Sequence, residues 1–258
     1  MIEVYILAVV LGLCIGSFLN VVIYRLPNNM SLSKPSSHCT KCNYSLKWYD
    51  NIPVLSYIFL GGKCRKCKSA ISPRYVLVEL FNAIIYALCV MLFWKQSIVY
   101  AITAMLLSSV LICVFFIDLE HTYIPDRFQI IILALGIVAI FFDGYTVWYD
   151  HLIGMFAGGL VFLAIYFLAI AVYKREGLGF GDVKLAFVTG LFLGWQRFVL
   201  AMLIASLLAC FILVPIKYIK KTDSKTEFPF APFITFGTLV ALLFGAQILS
   251  WYVALLIS

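Results

Sequence analysis

The chain has 258 residues, 64% of them hydrophobic and only 12% charged, and its mean hydropathy is +1.05. Soluble domains run at about 45–50% apolar and about 25% charged, so this composition excludes a water-soluble globular fold. The formal charge of +7 does not point to nucleic acid, because Lys and Arg in a membrane protein first mark the loops that stay in the cytoplasm.

The apolar runs are about 20 residues long, which predicts spanning helices and not the ten-residue alternating strands of a barrel. Eight runs qualify: 3–24, 76–94, 98–118, 128–142, 150–173, 183–196, 198–219 and 233–257. The fourth and sixth are short for a hydrocarbon core of about 30 Å. The first begins with Glu3, lacks a basic start and is followed by Arg25, so it reads as an anchor and not as a cleaved signal peptide. Between the first and second runs lies a polar segment, 25–75, punctuated by Pro27, Pro35, Pro53 and Pro73 and expected to be loops and turns.

Nine Lys and Arg fall in that segment. Arg127, Lys174, Arg175, Lys184, Lys217, Lys220, Lys221 and Lys225 follow on the same side, leaving Lys95 and Arg197 for the other. The positive-inside rule places the richer side in the cytoplasm, with both termini outside. The expected fold is therefore an all-α polytopic membrane protein of about eight helices. It divides into a first helix (1–24), a cytoplasmic four-cysteine loop (25–75) and a seven-helix membrane core (76–258). No internal repeat stands out.

Cys14, Cys89, Cys113 and Cys210 stand singly in apolar runs, where a thiol behaves as a small hydrophobe. Cys39, Cys42, Cys64 and Cys67 instead form two CxxC pairs in the polar loop. Each pair can bite one face of a tetrahedral ion, and thiolates suit zinc. Two disulfides are the bland alternative, and a reducing cytosol argues against them. Iron or redox chemistry stays open, as does a contribution from His38.

Ionisable groups in or beside a span are expensive and need an explanation. Asp118 closes the third run, and Asp182 opens the sixth between Gly181 and Val183, with Gly179 and Gly181 able to let backbone approach a substrate. Two carboxyls at a partly dehydrated boundary share one proton, which supplies a base for water and an acid for the leaving group. Rim charges and helix caps are the alternative for both. Asp126 reads as a cap, Glu120 as a solvated rim residue and His121 as an inert loop histidine. Glu79, inside the second run, has either a buried hydrogen-bonding role or a substrate role. Gly12 and Gly16, Gly154 and Gly158, and Gly190 and Gly194 match small-residue spacing for packing between spans.

Taken together, the run Gly16 to Pro27 (GSFLNVVIYRLP), the cysteine loop, Ile71 to Tyr75 (ISPRY) through Glu79, Asp118 with Pro125-Asp126, and Gly179 to Lys184 (GFGDVK) resemble the bacterial prepilin peptidases, the type IV leader peptidase/N-methyltransferase family. The resemblance runs from about residue 12 to 190, and Val76 stands where many relatives have Pro. It implies an eight-span enzyme of the bacterial plasma membrane with Asp118 and Asp182 as its catalytic pair. The implied reaction is cleavage of type IV prepilins or type II secretion pseudopilins after the glycine that ends a basic leader. Methylation of the new N-terminus from S-adenosylmethionine would follow, with Gly62 and Lys63 at the position associated with methyl transfer; a turn glycine and a solvated lysine are the alternative. Glu120 and Asp126 offer acids to a basic leader. The implied partners are prepilins and membrane lipid, with no nucleic acid. Two rivals stay open: an intramembrane protease of other substrate range, and a proton-coupled transporter, for which no inverted repeat is found.

Overall fold

The computed structural model describes residues 1–144, 146–174, 178–220 and 229–257, without the side chains of 173, 217–220 and 257. Arg175, Lys221 and Lys225, which enter the charge asymmetry, lie outside the described residues. The helices are α1 (Ile2–Arg25), α2 (Leu55–Phe59), α3 (Arg74–Phe93), α4 (Ile98–His121), α5 (Asp126–Phe142), α6 (Trp148–Tyr173), α7 (Phe180–Leu193), α8 (Trp195–Lys220) and α9 (Ala231–Ile257). Every expected span is a helix, with ends within three residues of those read from the sequence. Six of them, α1, α3, α4, α6, α8 and α9, are long and apolar enough to cross a membrane. At 1.5 Å per residue, α5 and α7 reach only about 25 and 21 Å, the shortfall already visible in the fourth and sixth runs.

Two compact units result, Met1–Leu92 and Phe93–Ser258. In the first, α1 and α3 run antiparallel at backbone contact. A Cβ on Gly12 would lie 2.6 Å from the Ala83 Cα, and one on Gly16 would lie 2.7 Å from the Glu79 Cα. One step further along, the Asn20 amide donates to the Tyr75 carbonyl at 3.0 Å. Each move of four residues up α1 is matched by four down α3. Asn82 adds a bond to the Gly12 carbonyl at 2.8 Å, so buried amides bind the pair where apolar contact alone gives no specificity.

In the second unit α7 packs against α5, α6, α8 and α9, and Val183, Leu185, Ala186, Leu191, Phe192 and Leu193 are all buried. The tightest approach is to α6: a Cβ on Gly154 would lie 2.5 Å from the Gly190 carbonyl oxygen, and one on Gly190 would collide with Gly154 in return. The glycine spacings are thus internal packing faces. Around α7, the apolar window of α4 is 67% buried, against 17% for α6 and α8. That makes α4 a central helix and leaves the outer faces of α6 and α8 for lipid.

At one end of this unit Arg197 is not a loop charge. It lies buried in the first turn of α8, paired with Asp143 and donating to the Tyr100 hydroxyl at 3.1 Å. Thr146 and buried His151 join the cluster, and His151 Nδ1 bonds the Leu191 carbonyl at 2.8 Å. These bonds tie α6 and α8 to the end of α7.

Replacing Gly190 or Gly154 with Leu should push α6 from α7 at a cost of at least about 1–3 kcal/mol. Val161→Leu, on the exposed face of α6, should cost less than about 0.5 kcal/mol. Thermal unfolding in detergent measures both.

Candidate active site and metal centre

The four-cysteine loop is built from two copies of one turn. In the first, the Cys39 N–H donates to the Tyr44 carbonyl, the Asn43 N–H donates to the Cys39 carbonyl, and His38 bridges Ser45. In the second, the same bonds join Cys64 to Ser69, Lys68 to Cys64 and Lys63 to Ala70. Every partner is displaced by 25 residues, so the loop does hold a short internal repeat. Asn43 and Lys68, each directly after the second cysteine of its pair, take left-handed φ values of 54° and 58°. That turn aims N–H groups back at the sulfurs. The N–H groups of Lys41 and then Cys42 lower the Cys39 pKa to about 6, and the Ser69 hydroxyl and N–H lower that of Cys67.

All four Sγ atoms lie within 4.8 Å of one another, with Cys39–Cys67 at 3.8 Å and Cys42–Cys64 at 4.0 Å. Sulfurs bound tetrahedrally at about 2.3 Å stand about 3.8 Å apart, so the donor set fits one such ion. None of the four is in a disulfide. Between the two turns sits Asp50, buried, bonded to Arg65 at 2.6 Å, to the Tyr44 hydroxyl at 3.2 Å and to the Lys47 N–H at 3.3 Å. Arg65 also stacks over the Tyr49 ring. Burial pushes the Asp50 pKa up, but Arg65, the Lys47 N–H and Tyr44 outweigh it and hold the carboxyl below its usual range.

Gly62 has φ +68°, and its space is filled by the Tyr57 hydroxyl, 2.9 Å from where a Cβ would stand. Its N–H donates to the Tyr57 carbonyl, and its own carbonyl accepts from Ile71 at 2.7 Å. Both backbone groups are committed to the turn. Lys63 follows, exposed. These two residues alone form no cradle for a nucleoside methyl donor.

Asp118 and Asp182 are brought together in the second unit, 5% and 6% exposed, within Coulomb range of each other. Asp118 lies one turn before the end of α4 and accepts the backbone N–H of Ala231, the first residue of α9. Asp182 lies in the first turn of α7 and accepts the N–H of Gly179. A side chain at Gly179 would meet this carboxylate at 3.3 Å, and one at Gly181 would press on Ile124. Gly179 therefore makes room for the carboxylate, and Gly181 for the loop after α4. Asp118 Oδ2 and Asp182 Oδ1 are buried without a hydrogen-bond partner among the described residues. Such oxygens in a native site call for a ligand, a water or a chemical role.

Asp126 is the first residue of α5, exposed and paired with Lys184 at 2.7 Å, while Glu120 and His121 are exposed rim residues. Glu79 belongs to the first unit; it is buried, accepts the Val54 N–H at 2.8 Å and bonds the Ser17 hydroxyl. Three contributors escape sequence reasoning. Ala231 carries no side-chain signal, although Pro232 just inside a helix start marks its position. Asp50 looks like any loop acid. Gln129, buried on α5, clamps the Gly181 carbonyl at 3.2 Å.

Residues 10–93 match the bacterial peptidase A24 N-terminal domain, and residues 105–214 match the type IV leader peptidase family. The prepilin leader peptidase/N-methyltransferase of Pseudomonas aeruginosa is 34% identical over 95% of this chain and 91% of its own length. That of Aeromonas hydrophila is 33% identical over 93% and 91%. A type 4 prepilin-like proteins leader peptide-processing enzyme of Escherichia coli is 36% identical over 90% and 91%. No solved structure matches the chain.

Because its folded pKa is depressed, Asp50 stabilises the loop at any pH above the ordinary carboxylate value of about 4. That contribution is lost as pH falls through the folded value. Amide exchange in 44–50 should therefore rise on acidification below about pH 4. Asp50→Asn should exchange faster already at pH 7 and respond less to acid.

Proposed function

Because the chain belongs to the type IV leader peptidase family, we propose that it cleaves the basic leader from type IV prepilins or pseudopilins with Asp118 and Asp182, and methylates the new N-terminus. The observation that carries the reading is the pair of buried carboxylates, each with one oxygen that has no hydrogen-bond partner among the described residues. Between them the two groups hold one proton, since like charges a few ångströms apart in a dehydrated site do not both ionise. The ionised carboxylate takes a proton from water as its oxygen attacks the scissile glycine carbonyl. The protonated one donates to the carbonyl oxygen. The tetrahedral intermediate collapses as a proton passes to the leaving amine, and the dyad returns to its singly protonated state.

The substrate fits this placement. A prepilin carries a basic leader in the cytoplasm and an apolar helix in the bilayer, so its cleavage site lies at the boundary. Eight spans with both termini outside put α4's end and α7's start on that cytoplasmic face of the bacterial plasma membrane. Asp126 is paired with Lys184 at this face.

In the 25–75 loop we assign a structural zinc to Cys39, Cys42, Cys64 and Cys67. With few apolar residues to bury, the loop draws folding energy from the ion. S-adenosylmethionine supplies the methyl group when bound. Gly62 acts through the turn that presents Lys63, and no transfer step is derived through these residues.

Asp118→Asn and Asp182→Asn should each lower cleavage by at least about 10³-fold, and the double variant little further, because members of one catalytic unit are not additive. Mass spectrometry of the pilin N-terminus reads this. Folded single variants that release mature pilin at the native rate would refute the dyad.

The purified protein should contain about one zinc per chain and no iron. Lys63→Ala should reduce methylation of pre-cleaved pilin about tenfold or more while leaving cleavage within about twofold, because Lys63 belongs to the first unit and the dyad to the second.

A further inference from the structure

The short helix α2 turns its apolar side chains outward. Leu55, Ile58 and Phe59 are 51%, 64% and 83% exposed, an arrangement that a segment standing in water does not sustain. Their depth explains it. Asn20 and Tyr75 meet at the start of α3, and one step of the α1–α3 register further in lie Gly16 and Glu79. Val54, the residue before α2, donates its N–H to Glu79 at this inner level, where the Ser17 hydroxyl also bonds the carboxylate.

Glu79 stands five residues inside the end of α3, about 7.5 Å along its axis. α3 has 20 residues and so spans about 30 Å, the hydrocarbon thickness itself. The start of α2 is thus held below the end of a helix that has no length to spare. Val54 adopts φ +62° to make the bond, a conformation costly for a β-branched residue.

We propose that α2 is embedded in the cytoplasmic-side lipid boundary, with Leu55, Ile58 and Phe59 inserted among acyl chains and the remainder of the loop lying on the headgroups. Charge favours the same occupant. Segment 25–75 holds nine Lys and Arg against the single acid Asp50, and Asp50 is already paired with Arg65. Basic groups flanking inserted apolar side chains bind anionic lipid surfaces. The loop is then a lipid-bound layer anchored at α1, α2 and α3, and Glu79 is the pin that sets its depth.

The test places a photoreactive benzoylphenylalanine at Phe59, and separately at Ile58, in the full-length protein in nanodiscs containing phosphatidylglycerol. Position 211, an exposed Phe on α8, serves as the lipid-facing control and Lys66 as the aqueous one. Variants that elute monodisperse should give lipid adducts at 58 and 59 with a yield within about twofold of position 211, and a several-fold lower yield at 66. Adducts to this chain or to a second copy would overturn the proposal, as would no adduct at 58 and 59 while position 211 labels. Glu79→Gln keeps an acceptor and should retain labelling at 59, whereas Glu79→Leu should lower it several-fold.

Discussion

A helix of fourteen residues cannot cross a bilayer by itself, and α7 exists as a buried element because α6 comes into backbone contact with it. Glycine at 154 and 190 removes the side chains that would hold the two axes apart. The close approach lets the rest of the unit shut around α7, and Asp182 rides on its first turn. The same closure carries the N-terminus of α9 to Asp118, where the Ala231 N–H meets a carboxylate. Among the described residues each carboxylate is held by one backbone N–H near a helix start, an arrangement that stabilises charge without neutralising it.

Both ends of this unit bury polar groups. Around Arg197, Asp143, Thr146 and His151 the buried polar groups bond one another and to the Tyr100 hydroxyl and Leu191 carbonyl. Around Asp118 and Asp182 the buried oxygens stop short of full satisfaction. Buried polar atoms left unsatisfied cost stability and persist where function uses them.

Much of this was legible from residue types alone. Long apolar runs predict helices because lipid leaves the backbone no other partner; each of the eight runs is helical, and six of these helices are long and apolar enough to cross a membrane. The cysteine pairs and both aspartates stand out because thiolates and carboxylates are costly without a purpose. What the chain does not advertise is three-dimensional closure. The 25-residue repeat within the loop is hidden because its two turns share little beyond the cysteines and a backbone pattern. Asp50 and Gln129 look ordinary until the fold buries them, and Ala231 contributes only its N–H. Glu79, open between a hydrogen-bonding and a substrate role, is buried and bonds Val54 and Ser17. Arg197, counted as an outer-loop charge, is a buried ion-pair partner because the helix begins three residues earlier than its hydropathy suggests.

The central claim is that water, activated between Asp118 and Asp182, attacks the scissile carbonyl directly. It is tested by single-turnover cleavage of a prepilin in water enriched in oxygen-18, with hydroxylamine present. Direct attack predicts one heavy oxygen in the terminal glycine carboxylate of the released leader and no glycine hydroxamate. A hydroxamate on that glycine, or a leader covalently held by the enzyme, would mean an acyl intermediate and would contradict the two-aspartate mechanism.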